Sequence, residues 1–160
     1  VLKDVPLWLD EGLAEYFEVS PDAQGVNLHH LEQIQAVSGT RFKPDLAHLE
    51  ALSQVQQMTP VEYREAWAWV HLLLNSTPEA RTMLLSYLQQ LRGSRHPGML
   101  VIKVEKLFPD AEKALTKHLP HESFAKMNLP LIDKDRTQQN FQRSFYLRYQ
   151  FPKCLGCYVN

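Results

Sequence analysis

The sequence contains little cysteine, and this limits the disulfide and metal sites that it can form. Only two of its 160 residues are cysteines, Cys154 and Cys157, and they form a single C-x-x-C motif near the C-terminal end. One such motif without a second pair is a weak zinc motif, and no βαβ pattern surrounds it to indicate a thioredoxin. Two interpretations stay open: incidental thiols that could form a local disulfide, or half of a zinc knuckle completed elsewhere.

An excess of charge and a long apolar run are also missing. Lysine and arginine number 17 against 18 acidic residues, a formal net charge of −1, so composition favours neither nucleic acid nor an anionic membrane as a partner. The longest apolar run, from Ala66 to Leu74, is too short to span a bilayer, and no signal peptide is visible. We therefore expect no membrane-spanning segment in this chain.

Apolar residues recur at helical spacing through most of residues 1–119, which predicts a mainly α-helical fold. The clearest helix start is Thr59-Pro60-Val61-Glu62, a capping box with proline at the first helical position. The helix that follows is apolar nearly all round from Ala66 to Leu74, so we predict that it is central to the core. Further helices are predicted at about residues 6–18, 28–38, 45–52, 78–92, 99–108 and 110–119.

The first predicted helix carries three carboxylates on one narrow stripe. Glu11, Glu15 and Glu18 stand at i, i+4 and i+7. Like charges at the i, i+4 spacing cost an isolated helix roughly a few tenths of a kcal/mol per pair. One interpretation is a solvated acidic face, and the other is that a cation binds against the stripe.

Residues 8–16, with the sequence WLDEGLAEY, resemble the helix that carries the third zinc ligand in gluzincin metallopeptidases. The resemblance is closest to the peptidase-MA-like group, which includes domains of unknown function. It implies that Glu11 is the zinc-ligating glutamate and that Glu15 is at most a hydrogen-bonding partner behind the ligands. It also implies that residues 1–119 are the helical C-terminal half of a gluzincin-like catalytic domain. A carboxylate beside two histidines leaves the fourth zinc position for water.

The other two ligands and the general base of that family lie upstream, in a His-Glu-x-x-His helix. Only ten residues precede Glu11, none of them is histidine, and no later stretch matches the pattern. Because the chain also begins with Val1, we interpret it as a fragment that lacks the N-terminal half of its domain. Such a fragment is expected neither to hold zinc firmly nor to catalyse a reaction alone.

The resemblance continues at residues 63–73, which are similar to the family pattern Y-x-x-x-W-A-x-V-H-x-L. Related gluzincin aminopeptidases place a tyrosine at this point, and its hydroxyl donates to the oxyanion as water attacks the peptide carbonyl. The resemblance therefore makes Tyr63 the candidate catalytic residue. The alternative is a tyrosine at the edge of the core with its hydroxyl hydrogen-bonded. In outline, the resemblance covers residues 6–18 and 60–119.

The histidines are predicted to be structural or solvated rather than metal ligands. His71 lies one helical turn from Trp67 and is predicted to be a core histidine. His29 and His30 are neighbours, and neighbouring side chains on a helix point about 100° apart, which makes a poor chelating pair. We therefore predict that both lie on the surface.

Residues 120–160 are predicted to be an extended tail that follows the helical part. Prolines recur in it, and aromatic and apolar residues alternate with polar ones over residues 145–151, a half-buried strand pattern. Such a strand could pair with the missing N-terminal portion or with another chain.

The resemblance implies that the parent protein is a zinc metallopeptidase that hydrolyses bonds in peptide or protein substrates through a zinc-bound water. Members of the family are often exported, so an exported or periplasmic location is the expectation.

The competing class is a non-catalytic helical protein-interaction module, a degenerate peptidase domain that kept its core and lost its metal. A weaker third class is a zinc-knuckle adaptor that uses Cys154 and Cys157. An upstream His-Glu-x-x-His would decide between the first two classes.

Overall fold

A computed structural model describes residues 5–37, 42–93 and 97–119. Within these ranges the chain forms α-helices and two short 3₁₀ helices and contains no strand, which confirms the predicted mainly α fold. None of the described helices is both long and apolar enough to cross a bilayer. The predicted tail over residues 120–160, with its two cysteines, lies outside the described residues. The helices are α1 (Leu7–Glu18), α2 (Leu28–Val37), α3 (Leu46–Ala51), α4 (Pro60–Asn75), α5 (Pro78–Arg92), α6 (Leu100–Leu107) and α7 (Ala111–His118), with 3₁₀ helices at Pro21–Ala23 and Val55–Gln57.

Side-chain caps set the starts of several helices. At α4 the predicted capping box is confirmed: Thr59 accepts a hydrogen bond from the first turn, and Glu62 accepts one from the backbone N–H of Thr59 at 2.7 Å. Asp45, Thr77 and Asp110 accept backbone hydrogen bonds at the starts of α3, α5 and α7. Each bond satisfies an N–H group that has no partner within the helix, so these starts are encoded locally.

Helix α4 lies at the centre of the core, as its apolar sequence predicts. Every residue from Glu65 to Leu73 is buried. Helix α1 packs along much of α4, and α2, α3, α5 and α7 also contact it. A helix that is apolar nearly all round can bury its surface only if other helices surround it, and here they do.

The carboxylate of Glu50 joins three helices. It accepts a hydrogen bond from the indole Nε1 of Trp8 in α1 at 2.6 Å and one from the backbone N–H of Leu100 in α6 at 2.9 Å. The start of α6 has no side-chain cap of its own, so an acid distant in sequence supplies its acceptor. Glu50 thereby fixes α3 against both α1 and α6.

Glu65 performs a similar task inside α4. Its side chain is buried, and one carboxylate oxygen accepts from the backbone N–H of Asp45 at 2.6 Å and from the indole of Trp69 at 3.1 Å. Burial raises the pKa of this carboxyl, although both hydrogen bonds favour its charged form. The start of α3 is therefore attached to the middle of α4.

Candidate functional site

Helices α1 and α4 approach each other closely at Gly12. A Cβ atom built on Gly12 would lie 2.6 Å from the carbonyl oxygen of Ala66 and 2.9 Å from a methyl group of Val70. Only glycine permits this approach between two helix backbones. The residue before it, Glu11, is consequently held beside the first turns of α4.

Glu11 lies half-buried on α1 at the edge of this helix pair. Within the described part of the chain, its carboxylate takes part in no hydrogen bond and no ion pair. Burial first, and then the charges of Asp10 and Glu15, raise its pKa above the ordinary glutamate value. The charged form of Glu11 is thus left without compensation, which a bound cation or hydrogen-bond donor would supply.

Tyr63 lies one turn inside α4 and faces the same region. Its side chain packs against the edge of the core but remains partly exposed, and its hydroxyl has no hydrogen-bond partner among the described residues. Burial first, and then the charges of Glu11 and Glu15, raise the pKa of Tyr63. The fold therefore brings Tyr63 close to both carboxylates, although about 50 residues separate them in sequence.

Glu15 is held by the start of α2 rather than by solvent. The Nε2 atom of His30 lies 2.9 Å from a Glu15 oxygen, and the side-chain amide of Asn27 donates to the same oxygen at 3.5 Å. The prediction that His30 lies on the surface is wrong, since only 12% of its side chain is exposed. His29 is exposed, as predicted. The acidic stripe thus differs along its length: Glu15 is paired within the chain and Glu11 is not.

His71 is buried in the core with its ring 5.6 Å from that of Trp67, which confirms its predicted role. Its Nδ1 atom lies 2.9 Å from Nε2 of His118 in α7, and its ring contacts that of Tyr16 at 5.8 Å. Burial first, and then the nearby charge of His118, lower the pKa of His71 to about 3. His71 is therefore neutral in the folded chain at neutral pH and attaches α7 to α4.

This buried histidine predicts an acid-sensitive stability. The pKa of His71 is about 3 in the folded chain and 6.5 for an ordinary histidine. Between these pH values His71 is therefore protonated in the unfolded chain and neutral in the folded chain. The contribution of neutral His71 to the free energy of unfolding is fully present above pH 6.5. It is lost as the pH falls towards 3, at up to about 1.4 kcal/mol per pH unit. Urea unfolding at pH values from 7 to about 4 should show a shallower loss in His71→Phe than in the native chain. Equal slopes would contradict the buried neutral state.

The metal-ligating side chains available at the site limit what it can bind without residues from elsewhere. The part of the chain that the structure describes contains no group of three His, Cys, Asp or Glu residues placed to hold a metal ion. Sites that hold catalytic zinc use three protein ligands. The arrangement thus presents one uncompensated carboxylate, Glu11, and one hydroxyl donor, Tyr63, on the same side of the α1–α4 pair.

Comparison with known proteins places this site inside a family match. The profile of the family described as "Protein of unknown function (DUF1570)" matches residues 1–97. The match spans α1 to α5 and includes Glu11, Glu15 and Tyr63. No curated protein and no solved structure matches the chain.

Proposed function

The chain belongs to the DUF1570 family, and we propose that it carries part of the active site of a zinc-dependent peptidase. In this proposal Glu11 is one zinc ligand and Tyr63 is a catalytic hydrogen-bond donor. The resemblance of residues 8–16 to the third-ligand helix of gluzincin peptidases supports the proposal. The substrates would be peptides or proteins.

The observation that carries the proposal is the unpaired, half-buried carboxylate of Glu11 beside Tyr63. Half-buried carboxylates are ordinarily paired or hydrogen-bonded, because burial without a partner disfavours the charged form. Gly12 holds α1 against α4 and so fixes this arrangement. A site that must receive a cation leaves one of its ligands without a partner in the chain itself.

Glu11 fits the requirements of a carboxylate ligand, but this chain would supply only one ligand of the three. The other two ligands and the general base would come from outside the described residues, in the His-Glu-x-x-His arrangement that the resemblance implies. Zinc, when bound, activates water and polarises the scissile carbonyl. An exported or periplasmic location remains an expectation of the same resemblance.

The residues of this chain would perform two tasks. Glu11 would bind the metal through its carboxylate and hold it beside the first turns of α4. Tyr63 would donate its hydroxyl proton in a hydrogen bond to the oxygen on which negative charge develops. A tyrosine hydroxyl is protonated at neutral pH, and burial and the charges of Glu11 and Glu15 raise the pKa of Tyr63 further, so its hydroxyl is a donor.

The second candidate function is a non-catalytic helical interaction module. The observation that favours it is the pairing of Glu15 with His30 and Asn27, since part of the acidic stripe is used within the fold itself. In that case Glu11, Glu15 and Glu18 would form a partly solvated acidic face on an intact helical core.

Zinc content separates the two proposals. We would produce the protein from its natural start and measure zinc by elemental analysis, beside Glu11→Ala and a control, Glu32→Ala, which changes an exposed acid on α2. The native protein and the control should hold about one zinc per chain. Glu11→Ala should lose most of its zinc. Loss of a residue that hydrogen-bonds to a metal ligand already lowers metal affinity by about 10–100-fold, and removal of a direct ligand should lower it more.

Two results would contradict the peptidase proposal. If the native protein binds no zinc, the interaction module becomes the better proposal. If Glu11→Ala binds zinc as tightly as Glu32→Ala, Glu11 is not a ligand.

A further inference from the structure

Helices α1 and α4 run side by side in the same direction. Gly12 of α1 lies against the backbone of Ala66. One turn later on α1, the Tyr16 hydroxyl accepts a hydrogen bond from the side chain of Asn75 at 3.2 Å, further along α4. Because residue numbers rise in the same direction along both helices, each turn of α1 follows α4 by about 5.4 Å.

The carboxylate of Glu15 is held by the start of α2, through His30 and Asn27. The Nε2 atom of His30 lies 2.9 Å from a Glu15 oxygen, and its ring lies 5.6 Å from the ring of Trp67 on α4. An ionised carboxylate only accepts, so Nε2 carries the hydrogen and donates it. The side-chain amide of Asn27 donates to the same oxygen at 3.5 Å, and its carbonyl oxygen accepts from the backbone N–H of His30. These bonds fix Glu15 at the level of Trp67.

Tyr63 lies one turn before Trp67 on α4, as Glu11 lies one turn before Glu15 on α1. The Tyr63 hydroxyl has no hydrogen-bond partner among the described residues. Burial first, and then the charges of Glu11 and Glu15, raise the pKa of Tyr63, so both carboxylates act on this hydroxyl. A metal bound at Glu11 would occupy that carboxylate. Glu15 would then be the carboxylate left to accept from Tyr63.

We propose that His30 is a positioning residue that holds the Glu15 carboxylate away from Tyr63 and so keeps the Tyr63 hydroxyl free to donate to the substrate. The inference rests on the proposed peptidase function. A tyrosine hydroxyl has a single hydrogen, and once a carboxylate accepts it the hydroxyl cannot also donate to the oxygen on which negative charge develops. His30 supplies Glu15 with another donor about one turn away and thereby removes the competing acceptor.

The first arm of the test measures cleavage of a peptide library by the protein produced from its natural start, as the native sequence and as His30→Phe. Phenylalanine keeps a ring beside Trp67 but has no donor for Glu15. His30→Phe should lower kcat by about tenfold or more with KM unchanged, because the lost hydrogen bond from Tyr63 acts in the transition state. His30→Gln, whose amide can donate to Glu15, should restore most of the activity. His29→Ala, which changes the exposed neighbour, should leave it unchanged.

The dependence on Glu15 is tested by repeating His30→Phe in the Glu15→Ala background. With no carboxylate at this position, His30→Phe should change kcat by less than about threefold. If His30 acted only by packing against Trp67, kcat would fall by the same factor in both backgrounds. Circular dichroism establishes that each variant is folded, and His30→Leu takes the place of His30→Phe if the latter does not fold.

The second arm needs no activity. The unfolding equilibrium constants of a protein, its Glu15→Ala and Tyr63→Phe variants and the double variant together measure the coupling between these two side chains. In the native sequence the coupling should change the equilibrium constant by less than about twofold, because Glu15 and Tyr63 form no hydrogen bond. In the His30→Phe background the released carboxylate accepts from Tyr63, and the coupling should reach about fivefold.

The outcomes distinguish the two proposals. A native protein that cleaves none of the peptides overturns the proposed function, and the coupling measurement then decides by itself whether His30 keeps Glu15 from Tyr63. An active protein whose kcat does not fall in His30→Phe, or falls equally with and without Glu15, overturns the positioning role of His30 alone. Absence of coupling between Glu15 and Tyr63 in the His30→Phe background likewise overturns it.

Discussion

Gly25→Ala is expected to lower the free energy of unfolding by about 3 kcal/mol, for two physical reasons. Gly25 has a φ of +80°, a left-handed conformation that costs a residue with a Cβ atom about 1–2 kcal/mol. The added Cβ atom would also overlap the ring of Tyr16, and such overpacking costs about 1–3 kcal/mol. Urea unfolding followed by circular dichroism measures the difference.

The Tyr16 ring cannot easily move away from the new methyl group. It packs edge-on against Phe17 with ring centroids 4.9 Å apart, it contacts the His71 ring, and its hydroxyl is hydrogen-bonded to Asn75. The Gly25 backbone is fixed as well, because its carbonyl accepts a hydrogen bond from the indole of Trp67 at 2.8 Å. Relief of the overlap must therefore disturb the core.

Gly98→Ala is the matched control for this variant. Gly98 has a similar φ of +77°, but an added Cβ atom would meet no other atom within 4 Å. The free energy of unfolding of Gly98→Ala should fall only by the cost of the left-handed backbone conformation, about 1 kcal/mol. If both variants lose the same amount, the contact between Gly25 and Tyr16 contributes nothing and the expectation is wrong.

Gly12→Ala is expected to destabilise the fold by about 2 kcal/mol net and to disturb the candidate site. A Cβ atom would lie 2.6 Å from the carbonyl oxygen of Ala66, and a helix backbone cannot yield as a flexible side chain can. The overpacking cost should reach about 3 kcal/mol. The better helix propensity of alanine offsets about 1 kcal/mol of it.

The larger consequence of Gly12→Ala concerns function. Separating α1 from α4 moves Glu11 relative to Tyr63, and a displacement of about 1 Å in an active site can cost about 100-fold in rate. Under the proposed function, peptide cleavage by the protein from its natural start should fall by about this factor at temperatures where the variant is folded. Circular dichroism establishes the folded state before each assay.

Gly93→Ala is the control for Gly12→Ala. Gly93 follows α5 with an ordinary negative φ, and its added Cβ atom would meet only one carbonyl oxygen, at 3.4 Å. Its stability should change by no more than about 0.5 kcal/mol. If Gly12→Ala is as stable as this control, the close approach of α1 and α4 does not depend on glycine.

The starts of α3, α4, α5 and α7 could be predicted from the sequence, because their determinants lie within a few residues of one another. The capping box at Thr59 and Glu62 and the caps at Asp45, Thr77 and Asp110 are local patterns, and the structure confirms each start. The burial of His71 could also be predicted, because it lies in the most apolar helix. Local sequence therefore determines the helices and identifies the central one.

The candidate site could be predicted only in part. Glu11, Glu15 and Tyr63 were identified from motifs, and the fold places Tyr63 near both carboxylates. The stripe of acids gave no indication that Glu15 is paired whereas Glu11 is not. That difference comes from His30, which was predicted to be on the surface and is largely buried.

The sequence by itself thus determined a mainly helical chain with a buried central helix, since helical periodicity and caps act between near neighbours. Only the tertiary structure decided how His30, Gly12 and Gly25 are used. His30 is buried because α1 and α4 bring Glu15 and Trp67 to either side of it, across separations of 15 and 37 residues. No periodicity within a single helix contains that information, because the packing of one helix on another sets these contacts.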